Sequence, residues 1–252
     1  MKSIATRELC TWLNDTLNVA AFNDYCPNGL QVEGRSTISH VIAGVTASQA
    51  LIQIAIERGA DAILVHHGWF WKGEDSRVLG MRKRRLSSLL AQDINLLAYH
   101  LPLDAHPELG NNAQLARILG LTCTNEKAGP GDLIWFGHMA GAATLGEVAA
   151  KVEQALGRSP QVIGDSGMPA QRIAWCTGAA QSMMTHAVDA GAQIYITGEI
   201  SEPTVHLSRE TGVGFISAGH HATERYGVQA LGIAIQNEFG IRVDFVDIDN
   251  PV

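Results

Sequence analysis

The amino-acid sequence predicts an α/β protein made of two similar, internally duplicated lobes, each with three layers around a mixed sheet. Short apolar runs of strand length alternate with helical segments, the pattern of βαβ units. A stretch of the first half also recurs in the second, with a longer intervening segment in the first half. Histidines or carboxylates stand where several of these strands end.

Taken in order, Leu9, Leu13 and Leu17 recur every fourth residue and share one face of a helix over about residues 6–18. Asp24, Pro27, Asn28 and Gly29 then break the chain. A strand over Val41–Val45, a helix over about Ser48–Arg58 stopped by Gly59, and a strand over Ala62–Val65 make a βαβ unit. A basic helix start, Arg82-Lys83-Arg84-Arg85, precedes a strand over Ile94–Tyr99. Leu133–Met139 reads as a strand, Leu145–Leu156 as a helix and Gln161–Gly164 as a short strand.

The repeat follows. Ile42-Ala43-Gly44-Val45-Thr46 matches Ile173-Ala174-Trp175-Cys176-Thr177, Gln49 matches Gln181, and Gly59-Ala60 matches Gly191-Ala192. Ile63-Leu64-Val65-His66-His67 matches Tyr195-Ile196-Thr197-Gly198-Glu199, while His100 and Asp104 align with His220 and Glu224. Gly129-Pro130-Gly131 is the expected junction, so the lobes are expected at 1–128 and 129–252, with 129–165 a connecting strand–helix–strand.

Composition bounds the function classes. A chain of 252 residues that is 46% hydrophobic and 17% charged is globular, and it is long enough for a substantial core. The net charge of -7 speaks against indiscriminate nucleic-acid binding. No apolar run reaches the roughly 18 residues a membrane helix needs. Cys10, Cys26, Cys123 and Cys176 form no C-x-x-C pair and the N-terminus carries no apolar signal stretch, so a reduced, cytoplasmic protein with thiols in its core is expected.

Three strand ends carry metal-binding chemistry. His66-His67 closes one strand, and two others run into His100-x-x-x-Asp104 and His220-x-x-x-Glu224. Imidazoles and carboxylates at strand ends of an α/β scaffold are donors for divalent ions at an open site. Neighbouring strand residues point to opposite sides, so His66 and His67 would each reach a separate ion where the chain turns at Gly68, which favours two ions. His220 and Glu224 share a face of a helix continued by Val228, Leu231, Ile235 and Phe239, whose N-terminus favours the acid.

Pro102 argues against a regular helix between His100 and Asp104. Asp104 is the ligand candidate there, whereas His100 either ligates or orients a neighbour and transfers protons. Glu199 is a general base, a sixth ligand, or a carboxylate bonded to backbone amides. His40, His106, His138, His186, His206 and His221 read as surface or packing residues. Arg82–Arg85 either grips phosphate or is a solvated helix face. Trp69, Phe70 and Trp71 either stack a base or pack the core or a subunit contact. Gly164-Asp165-Ser166-Gly167 lacks the context of a serine hydrolase, and there is no Walker loop or dinucleotide fingerprint.

Pro27-Asn28-Gly29-Leu30-Gln31-Val32-Glu33-Gly34, Val65-His66-His67-Gly68, His100-Leu101-Pro102-Leu103-Asp104, Thr197-Gly198-Glu199 and Gly219-His220-His221-Ala222-Thr223-Glu224 together resemble one group. The chain is similar over essentially its whole length to the bacterial YbgI-type proteins of the Nif-three-like family, known as GTP cyclohydrolase 1 type 2 homologues. The resemblance implies a dinuclear site of His66, His67, Asp104, His220 and Glu224, with Glu224 bridging. It also implies two lobes facing each other across that site and a ring-shaped homohexamer.

The expected function is a metal-dependent hydrolase using two divalent ions, zinc, iron, manganese or nickel, on a nucleotide or related heterocycle. His100 or Glu199 would carry the proton. The rival is a non-enzymatic metal-binding ring scaffold that binds partners. A nucleic-acid clamp threaded through a ring would need a positive lining and steep salt dependence.

Overall fold

The computed structural model describes residues 2–252, and the chain forms two compact units. The first comprises the chain up to Gly110 with Gly227–Asp249; the second is Asn111–Tyr226 with Asn250–Val252. The first runs β1 (Ile4–Ala5), α1 (Thr6–Thr16), β2 (Gly29–Val32), β3 (Thr37–Ile38), β4 (His40–Thr46), α2 (Gln49–Glu57), β5 (Ala62–His67), α3 (Gly80–Leu90), β6 (Asn95–Ala98) and α4 (Leu101–Ala105). The second holds α5 (Asn111–Leu119), β7 (Leu121–Ala128), β8 (Ile134–Met139), α6 (Leu145–Leu156), β9 (Gln161–Ile163), β10 (Ile173–Trp175), α7 (Met184–Asp189), β11 (Ile194–Thr197), α8 (Glu202–Thr211) and β12 (Gly214–Ser217). Helix α9 (His220–Phe239) starts in the second unit and finishes in the first, where β13 (Arg242–Phe245) follows.

The first unit is a three-layer sandwich of helices about a mixed sheet ordered β13-β4-β5-β6-β2. Strands β13, β4, β5 and β6 are parallel and β2 is antiparallel to β6. Parallel strands are covered on both faces and read as continuous apolar runs. Alternation along them divides the core: Val41, Ala43, Ala62 and Leu64 pack with Leu9 and Leu13 of α1 and Val228, Leu231 and Ile235 of α9. Ile42, Ile63 and Val65 turn the other way, onto Leu51, Ile52 and Ala55 of α2 and Leu89 of α3. Ser48 starts α2 by accepting the Leu51 amide, which stabilises a helix end by about 1 kcal/mol.

The second sheet is ordered β7-β8-β10-β11-β12-β9. Its parallel strands β10, β11 and β12 repeat β4, β5 and β6, and antiparallel β9 stands beyond β12 as β2 stands beyond β6. Ile173, Trp175, Ile194, Ile196 and Ile216 pack with Leu115 of α5 and with Leu145, Val148 and Val152 of α6. Tyr195 and Phe215, wholly buried with ring centroids 6.0 Å apart, fill the other face. The duplication therefore holds at the centre of each sheet. It departs at one edge, where β4 has parallel β13 beside it and β10 has antiparallel β8.

The units divide differently from the expected 1–128 and 129–252. Gly129-Pro130-Gly131 is no interlobe linker: it joins β7 to β8, which pair antiparallel within the second sheet. Residues 129–165 likewise belong to that sheet through β8 and β9 rather than connecting two lobes. Gly227–Asp249 returns to the first unit, where β13 completes the open edge of β4. None of the four cysteines is in a disulfide; Cys26 and Cys176 are buried as expected, whereas Cys10 is half-buried and Cys123 lies exposed on edge strand β7. Among the described residues no helix is long and apolar enough to cross a membrane.

Asp61 ties the start of β5 to the start of β4. Its carboxylate accepts bonds from the Ser39 amide at 2.7 Å, the Ser39 hydroxyl at 2.7 Å, the His40 amide at 3.0 Å and the Arg35 guanidinium at 2.7 Å. Burial alone would raise its pKa, but these donors outweigh it and hold the carboxyl below its ordinary value. We expect Asp61→Asn to lower the unfolding free energy in urea by about 2 kcal/mol at neutral pH. The carboxylate's contribution is present above its unfolded pKa of about 3.9, so the gap to wild type should close as pH falls below about 4.

Candidate metal centre

The carboxyl end of β5 presents the first cluster. His66 is wholly buried, and its Nδ1 lies 2.9 Å from the Tyr99 carbonyl, to which it donates. A ring whose Nδ1–H is held by a backbone carbonyl offers Nε2 as a lone pair, the tautomer metal ligands take. That Nε2 stands 3.4 Å from Oδ1 of buried Asp104. In this tautomer both atoms carry lone pairs of the kind that a cation takes.

His67 does not point away from His66. Strand β5 ends there, the two ring centroids lie 4.5 Å apart, and Nδ1 of His67 is 3.3 Å from the Thr46 hydroxyl on neighbouring β4. His100 completes the cluster, its ring 5.1 Å from His66 and 5.9 Å from His67. One donor atom from each of the three lies within 4.8 Å of the others.

The turn from His100 to Asp104 is helical, contrary to the expectation drawn from Pro102. Helix α4 begins at Leu101 with Pro102 in its first turn. A missing N–H is no loss there, since first-turn amides have no partner within the helix. The amides of Leu103 and Asp104 both bond the His100 carbonyl, at 2.8 Å and 3.1 Å. This turn sets Asp104 against His66.

Sequence reasoning missed Asp24 and Asn28. The Asp24 carboxylate bonds His100 Nδ1 at 2.9 Å and the Leu101 amide at 3.0 Å, while Asn28 accepts the His100 amide at 2.7 Å and donates to Asp24 at 2.9 Å. Burial raises the Asp24 pKa, but the His100 and Asn28 bonds bring it down to about 2. Its lasting negative charge orients His100. The signal available was the polar break at Asp24, Pro27, Asn28 and Gly29, legible only as a turn.

The second cluster lies at the end of β12. His220 opens α9, and its Nε2 is 2.9 Å from Oε2 of Glu224, four residues on and buried. The expected shared face is present. Glu199, at the end of β11, bonds His220 Nδ1 at 2.7 Å and accepts from Gln181 at 3.4 Å. Its carboxylate therefore holds the ring of His220. Burial would lower the His220 pKa, but Glu224 and then Glu199 outweigh it and push it up to about 9.

Other candidates resolve into local roles. His40 pairs with Asp244 at 2.9 Å, His206 with Glu202 at 2.9 Å, and His106 accepts the Leu109 amide at 3.0 Å. Trp69 is buried, with its indole N–H bonded to the Ala47 carbonyl at 3.0 Å, so it packs the core. Arg82 engages Glu74 at 2.5 Å and the Asp75 carbonyl.

Two mixed-sheet units, each gathering imidazole and carboxylate at the carboxyl ends of its parallel strands, define a duplicated α/β protein with candidate metal ligands. The sequence model of the family described as Duf34/NIF3 (NGG1p interacting factor 3) matches residues 4–251, and the chain belongs to that family. It is 52% identical over 251 residues to the GTP cyclohydrolase 1 type 2 homolog of Pseudomonas aeruginosa, covering 99% of each chain. The protein of the same name in Escherichia coli is 51% identical over 245 residues, covering 97% of this chain and 98% of that one. Among solved structures, protein ybgI, described as of unknown function, superposes with a TM-score of 0.94 at 50% identity, covering 99% of this chain and all of its own. A Thermus thermophilus protein follows with a TM-score of 0.84 at 34% identity, covering 99% of this chain and 100% of that one.

Gly178 shows how closely the second cluster is packed. Its φ is +70°, and an added Cβ would lie 1.9 Å from Glu224 Oε1. Gly191, with φ +80° and nothing within 4 Å of such a Cβ, isolates the backbone part of the effect. We expect Gly191→Ala to cost about 1–2 kcal/mol in urea unfolding, from left-handed strain alone. Gly178→Ala should cost clearly more, because it also displaces Glu224.

Proposed function

We propose that the protein is a metal-dependent hydrolase in which His66, His67, Asp104, His220 and Glu224 together hold two divalent ions. One observation carries the reading. In each unit an imidazole Nε2 faces a buried carboxylate oxygen, His66 to Asp104 at 3.4 Å and His220 to Glu224 at 2.9 Å, while the other ring nitrogen is held by a carbonyl or carboxylate. This is how ligating histidines are oriented by a surrounding layer of bonds. The donor set suits zinc, iron, manganese or nickel. So few protein donors for two ions leave positions open to substrate, which a purely structural site does not need.

Bound there, divalent ions supply Lewis acidity, polarising a carbonyl or phosphoryl group and lowering the pKa of water. The chain's own residues do the rest. Asp24 keeps His100 oriented and Glu199 keeps His220 oriented, and His100 and Glu199 are the groups available to carry a proton. A nucleotide or related heterocycle is the substrate class, a reading supported by the name GTP cyclohydrolase 1 type 2 homolog that relatives carry. Four cysteines outside any disulfide support a reducing, cytoplasmic setting.

Metal analysis of purified protein tests the ligand set. We expect two equivalents in wild type, a loss of about one or more in Glu224→Ala and Asp104→Ala, and retention in His206→Ala. With metal restored, wild type should hydrolyse a member of a panel of nucleotides and cyclic amides, and Glu224→Ala should lose at least about a hundred-fold in kcat/KM, the scale on which one electrostatic group acts. Wild-type metal content in Glu224→Ala would sink the ligand assignment, and metal without turnover on any substrate would favour the scaffold.

The same reading includes a ring-shaped homohexamer, supported by the exposed apolar side chains Leu79, Met81 and Leu90 at and beside α3. Light scattering after size exclusion should give six times the subunit mass. A monomer at micromolar concentration would count against the ring.

A further inference from the structure

The run Trp69-Phe70-Trp71 separates into three different roles, and the third residue packs against the histidine cluster rather than the core. Trp69 is core. Phe70 is 37% exposed with φ +66°, a conformation that bulky side chains rarely adopt and that segments at binding sites retain. Trp71 is half-buried, with its ring centroid 5.1 Å from His100, 6.1 Å from His67 and 5.7 Å from Tyr25. Tyr25 is itself 52% exposed and 5.0 Å from His100. Two partly open aromatic rings thus border the histidine cluster of the first unit.

We propose that Tyr25 and Trp71 form a stacking platform that receives the planar heterocyclic ring of the substrate beside His67 and His100. This rests on the reading of the site as one that takes a nucleotide or related heterocycle. Neither ring lies flat on an imidazole: Trp71 meets His100 at 87° and Tyr25 meets it at 75°. The pair is splayed by 36°, so neither ring stacks flat on the other.

The platform is held in place before any ligand arrives. The Lys72 amide donates to the Tyr25 carbonyl at 2.7 Å, joining the two loops, and the Tyr25 amide donates to Asp24 at 2.7 Å. The Trp71 amide donates to Glu74 at 3.2 Å, and Arg82 grips Glu74 in turn while its guanidinium lies 5.7 Å from the Phe70 ring. A fixed aromatic pair costs a ligand little ordering. Aromatic faces select flat rings over sugars and discriminate weakly among bases. The platform therefore accounts for recognition of the ring, and the adjacent ligands for the group that reacts.

The test uses metal-loaded full-length protein, with guanosine 5′-monophosphate, adenosine 5′-monophosphate and ribose 5-phosphate as probes in titration calorimetry and saturation-transfer NMR. Both nucleotides should bind more tightly than ribose 5-phosphate. Trp71→Ala and Tyr25→Ala should each weaken nucleotide binding about ten-fold, the scale of one lost stacking contact. Trp71→Phe should keep most of the affinity, and all three variants should keep wild-type metal content and wild-type affinity for ribose 5-phosphate. Equal binding of nucleotides and ribose 5-phosphate, nucleotide affinity indifferent to both rings, or metal lost from the alanine variants would overturn the platform. Turnover is measured in parallel. Ring-dependent binding without hydrolysis retires the hydrolase and leaves the platform standing, whereas hydrolysis with ring-independent binding does the reverse.

Discussion

His66 is wholly buried at the carboxyl end of β5, so its polar ring nitrogens need partners inside the protein. One is met by the Tyr99 carbonyl, which the parallel pairing of β5 with β6 brings alongside. The other faces Asp104, and the turn that follows β6 puts that carboxylate there. The chain turns at His100, Pro102 enters the first turn of α4, and Asp24 and Asn28 fasten the corner from a distant loop. A buried imidazole opposite a buried carboxylate is costly unless a proton or a cation joins them. The surrounding bonds hold that pair in place.

The second unit solves the same problem with different residues. Its parallel strands end likewise at an imidazole and a carboxylate, but here both sit one turn apart on α9, and the outer nitrogen of His220 is held by Glu199 rather than by a carbonyl. A carboxylate partner raises the basicity of a ring more than an amide carbonyl does. The duplicated scaffold therefore supplies two unequal donor pairs. Close packing is the condition for the second, since the backbone at Gly178 leaves no room for a Cβ beside Glu224.

Much of this was legible in the sequence because it is local. A strand-end histidine pair and an i,i+4 pair at a helix start declare themselves by spacing, and the central strands by unbroken apolar runs. What could not be read depends on distance or on context. Asp24 acts on a histidine 76 residues away, and no spacing rule reaches that far. Pro102 misled because the rule against proline applies to helix interiors and not to a first turn. Gly129-Pro130-Gly131 has the composition of a linker and the pairing of a hairpin, and only the register of β7 on β8 distinguishes them.

The differences between the two repeats carry as much information as their likeness. After β5 the first unit inserts a loop and the basic helix α3 before β6, whereas α8 follows β11 after only a few residues. Nothing in the pairing of the sheets calls for that insertion, since β5–β6 and β11–β12 are both parallel neighbours. Its contents are Phe70 in a strained conformation, Trp71 against the histidines, and an arginine that ties the loop to itself. Strain in a loop persists only where the surrounding bonds over-determine it. The repeated part of the fold thus brings donor atoms to the strand ends, and the unrepeated part adds a surface suited to a flat ring, so that selectivity in the proposed centre resides in the half of the molecule that broke the symmetry.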